Sequence, residues 1–262
     1  MPEVASSARP LVLVTGAAGR VGRLTVPALA GRYRLRLVDL HWTADSTAAS
    51  GAEQGIERAT ADLRVADSWP ELLSGVDAVV HLAGQPSPEI SARESVEDVA
   101  MSTAHLAGAA VAAGVRRVVY ASSIHAMGLY QRHGEHPVDP RRPPRPCCEY
   151  GAAKVLCENW LALLGERSAV SVVSLRLGMT GLLPRNAFQA SHWLGDDDCG
   201  ELMRCALAAE IDHGAYFGAS LGARGYWDLA PTADDLGFVP QQVPSVPDRQ
   251  VPEKIGHCLM AG

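Results

Sequence analysis

The stretch "LVLVTGAAGRVG" (residues 11–22) decides the fold. Its first half is an apolar run ending in glycine, the pattern of a strand buried on both faces. Its second half places Gly16, Gly19 and Gly22 between that strand and the start of a helix. A glycine triplet in that context is the turn that carries a dinucleotide pyrophosphate. Gly16 permits the tight turn, Gly19 lets backbone approach the pyrophosphate, and Gly22 allows close packing of helix on sheet. Arg20 and Val21 fall in the first helical turn, whose free N–H groups and positive dipole end face the phosphates.

Outward from this loop, apolar runs alternate with alanine-rich helical patterns. Strands are expected at "RLRLVDL" (34–40), "IERATADL" (56–63), "DAVVHLAG" (77–84), "RRVVYASS" (116–123) and "VSVVSLRLG" (170–178). Helices are expected over 20–30, 68–74, 91–113 and 150–165. The alternation predicts an α/β protein with a Rossmann-type, doubly wound parallel sheet. Residues 1–178 form the nucleotide-binding domain, and residues 179–262 a small C-terminal substrate-binding region interleaved with it. In that region a helix is expected at 196–210, a short strand at 215–220, and a helix through 232–242 that ends at its glycine. The proline-rich tail from 243 is expected to lie loosely on the surface.

Strand ends supply the rest of the nucleotide site. Asp39, followed by Leu40, closes the second strand about 20 residues beyond the glycine loop, where a carboxylate binds the adenosine ribose hydroxyls. A 2′-phosphate would meet a like charge there, so NAD is expected rather than NADP. Asp62 and Leu63 end the third strand, near the place of adenine. Leu82, Ala83 and Gly84 end the fourth, where His81 is expected to line the site with its backbone rather than to catalyse.

Composition narrows the function. The chain has 262 residues, 47% hydrophobic and 20% charged, with a net charge of −6. That balance gives no basic footprint for nucleic acid, and three arginines at 141, 142 and 145 do not make a binding track. No apolar run is long enough to span a membrane. "MPEVASSARP" lacks a secretory pattern, so a cytoplasmic location is expected. The six cysteines form no C-x-x-C pair and none has a histidine at zinc-like spacing, so reduced thiols and no structural metal are expected.

The chemistry is carried by "ASS" (121–123) and "CCEYGAAK" (147–154). The fifth strand delivers the hydroxyls of Ser122 and Ser123 to the crevice. Tyr150 and Lys154 share one helix face at a spacing of four. A tyrosine of ordinary pKa, about 10, is a poor base at neutral pH. A lysine cation and a positive nicotinamide would favour its phenolate. Tyr150 could then take a proton from a substrate hydroxyl while hydride leaves for NAD. Ser123 would hold the substrate oxygen, and Lys154 would also bind the nicotinamide ribose.

With "TGAAGRVG", Asp39, "ADL", "HLAG", "ASS", "YGAAK" and "RLG" (176–178) together, the sequence resembles the extended short-chain dehydrogenase/reductases of the NAD-dependent epimerase/dehydratase family. "ASSIHAMGLY", "HWLGDDDCGELMRCAL", "FGAS" and "GYWDLAPTADDLGFVPQ" further resemble the uronate dehydrogenase branch. That resemblance implies hydride transfer from C1 of a hexuronic acid to NAD, and a homodimer built on the Tyr150 helix. It places substrate contacts at Ser87, Ser123, Ile124, His125, Met179, Arg185 and Phe188. The branch carries asparagine, serine and arginine where this chain has Ile124, Met179 and Phe188, and an asparagine in the helix before the fifth strand where Val99 stands. Each change replaces a polar contact with apolar bulk, which favours a less polar substrate or a carboxylate held elsewhere, by Arg185 or by Arg141, Arg142 and Arg145. Two other readings use the same residues: an epimerase that retains its NAD, and a non-catalytic NAD sensor.

Overall fold

Alternate residues of the central strands enter two different cores, as the two-residue period of a strand requires. In this computed structural model, which describes residues 9–42, 55–247 and 258–261, Leu13, Val79 and Val118 face one core, while Val12, Val14, Val80 and Val119 face the other. The strands are β1 (Leu11–Thr15), β2 (Arg34–Asp39), β3 (Ile56–Thr60), β4 (Ala78–His81), β5 (Arg117–Ser123), β6 (Ser171–Leu177) and, beyond two short ones (β7, Met179–Thr180; β8, Trp193–Leu194), β9 (His213–Gly218). The main sheet has seven strands in the order β3-β2-β1-β4-β5-β6-β9, paired in parallel throughout. Strand order therefore reverses between β1 and β4, and the crevice outside their carboxyl ends is the binding place in such sheets.

Helices cover both faces. On one lie α2 (Trp69–Leu72), α3 (Met101–Ala110) and α4 (Glu149–Arg167), which bury Trp69, Leu106, Cys157 and Leu161. On the other lie α1 (Arg20–Leu29), α5 (Asp196–Ala208) and α6 (Ala230–Leu236), which bury Val26, Leu29, Leu202, Met203 and Leu236. Burial of each such aliphatic side chain stabilises the fold by about 1.5–3 kcal/mol. Gly200 of α5 lets it close on α1, because a Cβ there would come within 2.9 Å of Ala28. The helix expected over 91–113 is interrupted: Ser95–Ala100 is a π-helical segment ahead of α3.

The C-terminal region differs from expectation in two places. Its strand, β9, is the seventh strand of the main sheet, so residues past 178 complete the nucleotide-binding layer as well as the substrate side. The tail follows expectation over residues 243–247, which form no helix or strand and include no buried residue, but not at its last described segment, where Met260 is buried and the Leu259 amide donates to the Cys147 carbonyl at 2.9 Å. Apolar contact with a third core, built on Ile124, Met127, Tyr130, Phe217 and Trp227, holds it there.

Candidate active site

The glycine loop has the shape its residues predict. Gly16 adopts φ +65°, and a Cβ on it would come within 2.9 Å of the Ala83 backbone. A Cβ on Gly22 would come within 2.5 Å of both the Ala17 and Gly16 carbonyls. Neither position tolerates a side chain. Gly19 caps α1 with extended backbone, and no side chain occupies that cap or places an acid in the first turn. The amides at the start of α1 thus face the crevice without a competing carboxylate, which suits a pyrophosphate.

Asp39 is held at the lip of this loop. Its Oδ2 accepts from the Ala18 amide at 2.9 Å and its Oδ1 from the Leu40 amide at 2.7 Å. Oδ1 also accepts from the His41 amide at 3.4 Å, while Oδ2 keeps a lone pair for a ribose hydroxyl. Asp62 is clasped by Arg64, whose hydrogen bond holds the carboxyl below its usual range, and Arg64 reaches across to Asp98 at 3.1 Å.

One cavity of about 1010 Å³ joins these groups to the catalytic candidates. At its nucleotide end it is lined by Gly16, Gly19, Arg20, Val21, Gly22, Asp39, Leu40, Asp62 and Leu63, with Leu82, Ala83 and Gly84 below. At the other end Ser123, Tyr150 and Lys154 meet Ile124, His125, Met179 and Phe188. Ser87 and Arg185 are not part of its wall. The Ser87 hydroxyl accepts from the Glu89 amide at 3.2 Å, and Arg185 is exposed. Arg141 is paired with Asp139 instead, and Arg142 and Arg145 with Glu135.

The candidate catalytic side chains are buried. Lys154 is 4% exposed, and its ammonium donates to the Ala121 carbonyl at 2.6 Å, 5.6 Å from the centre of the Tyr150 ring. Burial lowers Lys154 to about 8, against the pull of Cys157 and Glu158. Burial raises the Tyr150 phenol above its ordinary value, opposed by a hydrogen bond with Ser123. The lowered tyrosine expected from sequence is therefore not a property of the protein alone. His81, by contrast, lies outside the cavity wall. Its ring nitrogens lie 2.8 Å from the Thr15 hydroxyl and 3.4 Å from the Ser102 hydroxyl, and burial depresses it to about 3.

Sequence reasoning missed the support beneath the site. Arg176 and Glu158 form a buried bidentate pair, with Nε–Oε1 at 3.0 Å and Nη2–Oε2 at 2.7 Å. Arg176 Nη1 also donates to the Pro140 carbonyl at 2.7 Å, and the Ser122 hydroxyl donates to Glu158 at 2.5 Å. Ser122 thus anchors α4 to β5 and leaves Ser123 to the cavity. The cavity wall also includes Gln189, Cys258 and Met260, which no motif marked, and His192, which opens the stretch "HWLG" but was given no role.

The thiols also depart from expectation. Cys147, Cys148 and Cys258 converge on His125, and their ligand atoms all lie within 4.8 Å of one another. Local spacing could not show this, because the four residues come from three separate segments. Burial disfavours the His125 imidazolium, but the Cys148 and Cys258 thiols outweigh it and lift the ring to about 9.

The chain is similar to known proteins. An NAD-dependent glucose-6-phosphate dehydrogenase of Haloferax volcanii is 31% identical over 88% of this chain and 92% of its own length. A uronate dehydrogenase of Pseudomonas putida is 32% identical over 88% of this chain and 83% of its own. A crystal structure of a uronate dehydrogenase variant from Agrobacterium tumefaciens, complexed with NAD, superposes with a TM-score of 0.78 at 29% identity, covering 90% of this chain and 86% of that one. Residues 12–180 match the NAD dependent epimerase/dehydratase family, whose cofactor the glycine loop and Asp39 fit, and the chain belongs to that family.

Proposed function

We propose that the protein is an NAD-dependent short-chain dehydrogenase that oxidises a secondary alcohol or the hemiacetal hydroxyl of a cyclic sugar. The observation that carries this reading is the meeting of Ser123, Tyr150 and Lys154 with the glycine loop and Asp39 in one cavity. When bound, NAD supplies the hydride acceptor and a positive ring charge. Asp39 binds the adenosine ribose, and the start of α1 receives the pyrophosphate. Ser123 holds the substrate oxygen, and Tyr150 takes its proton. Because burial, with Cys148 and Cys157, holds the Tyr150 phenol up, proton transfer depends on positive charge beside it, part of which Lys154 supplies.

The substrate end carries apolar bulk at Ile124, Met179 and Phe188, beside the polar His125, Gln189 and His192. Ile124 is buried, and Met179 and Phe188 are half-buried, with Phe188 packed on His192 at a ring separation of 4.5 Å. Arg185 is exposed and the other nearby arginines are paired, so no cation at these positions grips a carboxylate. The substrate class favoured is a neutral sugar or cyclic alcohol rather than a uronate. A homodimer through α4 accompanies the reading, supported by the exposed Leu156 and Leu163 on that helix. Free thiols support a cytoplasmic setting. The test is NADH formation with uronic acids, neutral aldoses, a sugar phosphate and apolar cyclic alcohols. Neutral substrates should give the higher kcat/KM. A clear preference for uronates would refute the substrate class, and product inversion without net NADH would refute the reaction.

A further inference from the structure

His125 lies in the turn after β5, Cys147 and Cys148 immediately precede α4, and Cys258 arrives from the far C-terminus. His125 Nδ1 is 3.3 Å from Cys147 Sγ, 3.6 Å from Cys148 Sγ and 3.3 Å from Cys258 Sγ. Cys147 Sγ and Cys258 Sγ are 3.5 Å apart. Zinc bonds of about 2.3 Å to sulfur and about 2.0–2.1 Å to nitrogen give tetrahedral edges of about 3.8 Å between sulfurs and about 3.6 Å from sulfur to nitrogen. The four separations above lie within about 0.3 Å of those edges, and all four ligand atoms lie within 4.8 Å of one another.

The backbone holds the four ligands in place by other means. The Cys147 amide donates to the His125 carbonyl at 3.1 Å, and the Leu259 amide donates to the Cys147 carbonyl at 2.9 Å. Gly128 and Gly151 make room: a Cβ on Gly128 would strike the Cys147 sulfur, and one on Gly151 the His125 carbonyl. A disulfide between any two cysteines would use only part of this arrangement. It would leave the third thiol and the imidazole unexplained.

We propose that His125, Cys147, Cys148 and Cys258 bind one zinc ion that staples the C-terminal segment to the wall of the substrate cavity. Four protein ligands close the coordination sphere, which makes the site structural rather than hydrolytic. Cys258 and Met260 line the cavity, so the ion would fix one wall of the pocket. Ligation through Nδ1 would also keep the imidazole neutral with its proton on Nε2, a fixed donor at the cavity rim. The inference rests on the thiol and imidazole geometry and stands apart from the dehydrogenase reading.

The test is the metal content of the full chain purified without chelator, measured by plasma mass spectrometry. About one zinc per chain is expected, released when the thiols are capped with a mercurial. Cobalt(II) in its place should give the visible d–d bands and thiolate charge-transfer absorption of a tetrahedral sulfur-rich site, a readout that needs no variant. Cys148→Ser and Cys258→Ser should each lose zinc on dialysis against a mild chelator, while Cys205→Ser, which lies on α5, keeps it. Wild-type protein without zinc or the cobalt spectrum, or a Cys147–Cys258 disulfide in freshly purified protein, would overturn the proposal. Equal zinc retention by Cys258→Ser and wild type would mark an adventitious ion only and would also overturn it.

Discussion

Replacing Glu158 with glutamine should destabilise the protein and slow it at the same time. Glu158 accepts two hydrogen bonds from Arg176 and one from Ser122, and the side chains of Glu158 and Arg176 are 9% and 3% exposed. The amide of a glutamine turns one acceptor into a donor and removes the charge that balances the guanidinium. Breaking a buried pair from one side costs about 3–5 kcal/mol, because the remaining charge stays desolvated. At about 2–4 °C per kcal/mol for a chain near this size, Tm should fall by roughly 6–20 °C. The pair fixes α4 against β6 and the Pro140 loop, and Ser122 ties Glu158 to β5, so the loss should also shift Tyr150 and Lys154 relative to Ser123. A displacement of about 1 Å at such a site can cost about 10²-fold in rate. Thermal unfolding by circular dichroism and NADH formation on the same samples provide the two readouts. The double variant Glu158→Leu/Arg176→Met, which leaves no orphaned charge, should lose less stability than the sum of its two single variants. A Tm for Glu158→Gln within about 2 °C of wild type would refute the reasoning, since the magnitude follows from burial of the pair.

Three further outcomes are expected. Asp39→Ala should weaken NAD binding by about tenfold or more and narrow the gap with NADP, measured by fluorescence titration, because a charge-assisted bond to the ribose is worth about 1.5–3 kcal/mol; tighter NADP than NAD binding in wild type would contradict it. His81 has a folded pKa depressed to about 3 from 6.5. The unfolded chain therefore takes up the proton first, and the contribution of His81 to stability is present above pH 6.5 and lost as pH falls toward 3; a His81→Gln variant should show a shallower acid fall in Tm, and an identical slope would contradict the assignment. Phe188→Arg combined with Met179→Ser should raise kcat/KM for uronates relative to neutral sugars, and no change in that ratio would place the carboxylate elsewhere.

The nucleotide half of the site was legible because its residues are adjacent in sequence and answer to local rules. "LVLVTGAAGRVG" names its own strand, turn and helix, and Gly16 and Gly22 sit where no Cβ fits. Tyr150 and Lys154 were legible through helical spacing. What escaped notice is long-range. Glu158 meets Arg176 only when α4 lies on β6, and Cys258 meets Cys147 across a separation of 111 residues. Cysteine spacing rules look for ligands a few positions apart, so a site assembled from three segments gave no signal. The end of the tail departs from its surface expectation for a related reason: proline content marks an absence of helix and strand, but it does not show that Met260 packs into a core. Burial, which sequence does not show, raises the Tyr150 phenol and so opposes the phenolate that the lysine and a nicotinamide would favour.

The central claim is that Tyr150 performs proton transfer beside a nucleotide held by other residues. The direct measurement compares wild type and Tyr150→Phe for NAD affinity, by titration, and for kcat with the best substrate of the panel, by NADH absorbance. The account predicts a loss of about 10²–10⁴-fold in kcat, the usual size of general acid–base catalysis, with NAD affinity changed by no more than a few-fold. A Tyr150→Phe protein that turns over at the wild-type rate would contradict it.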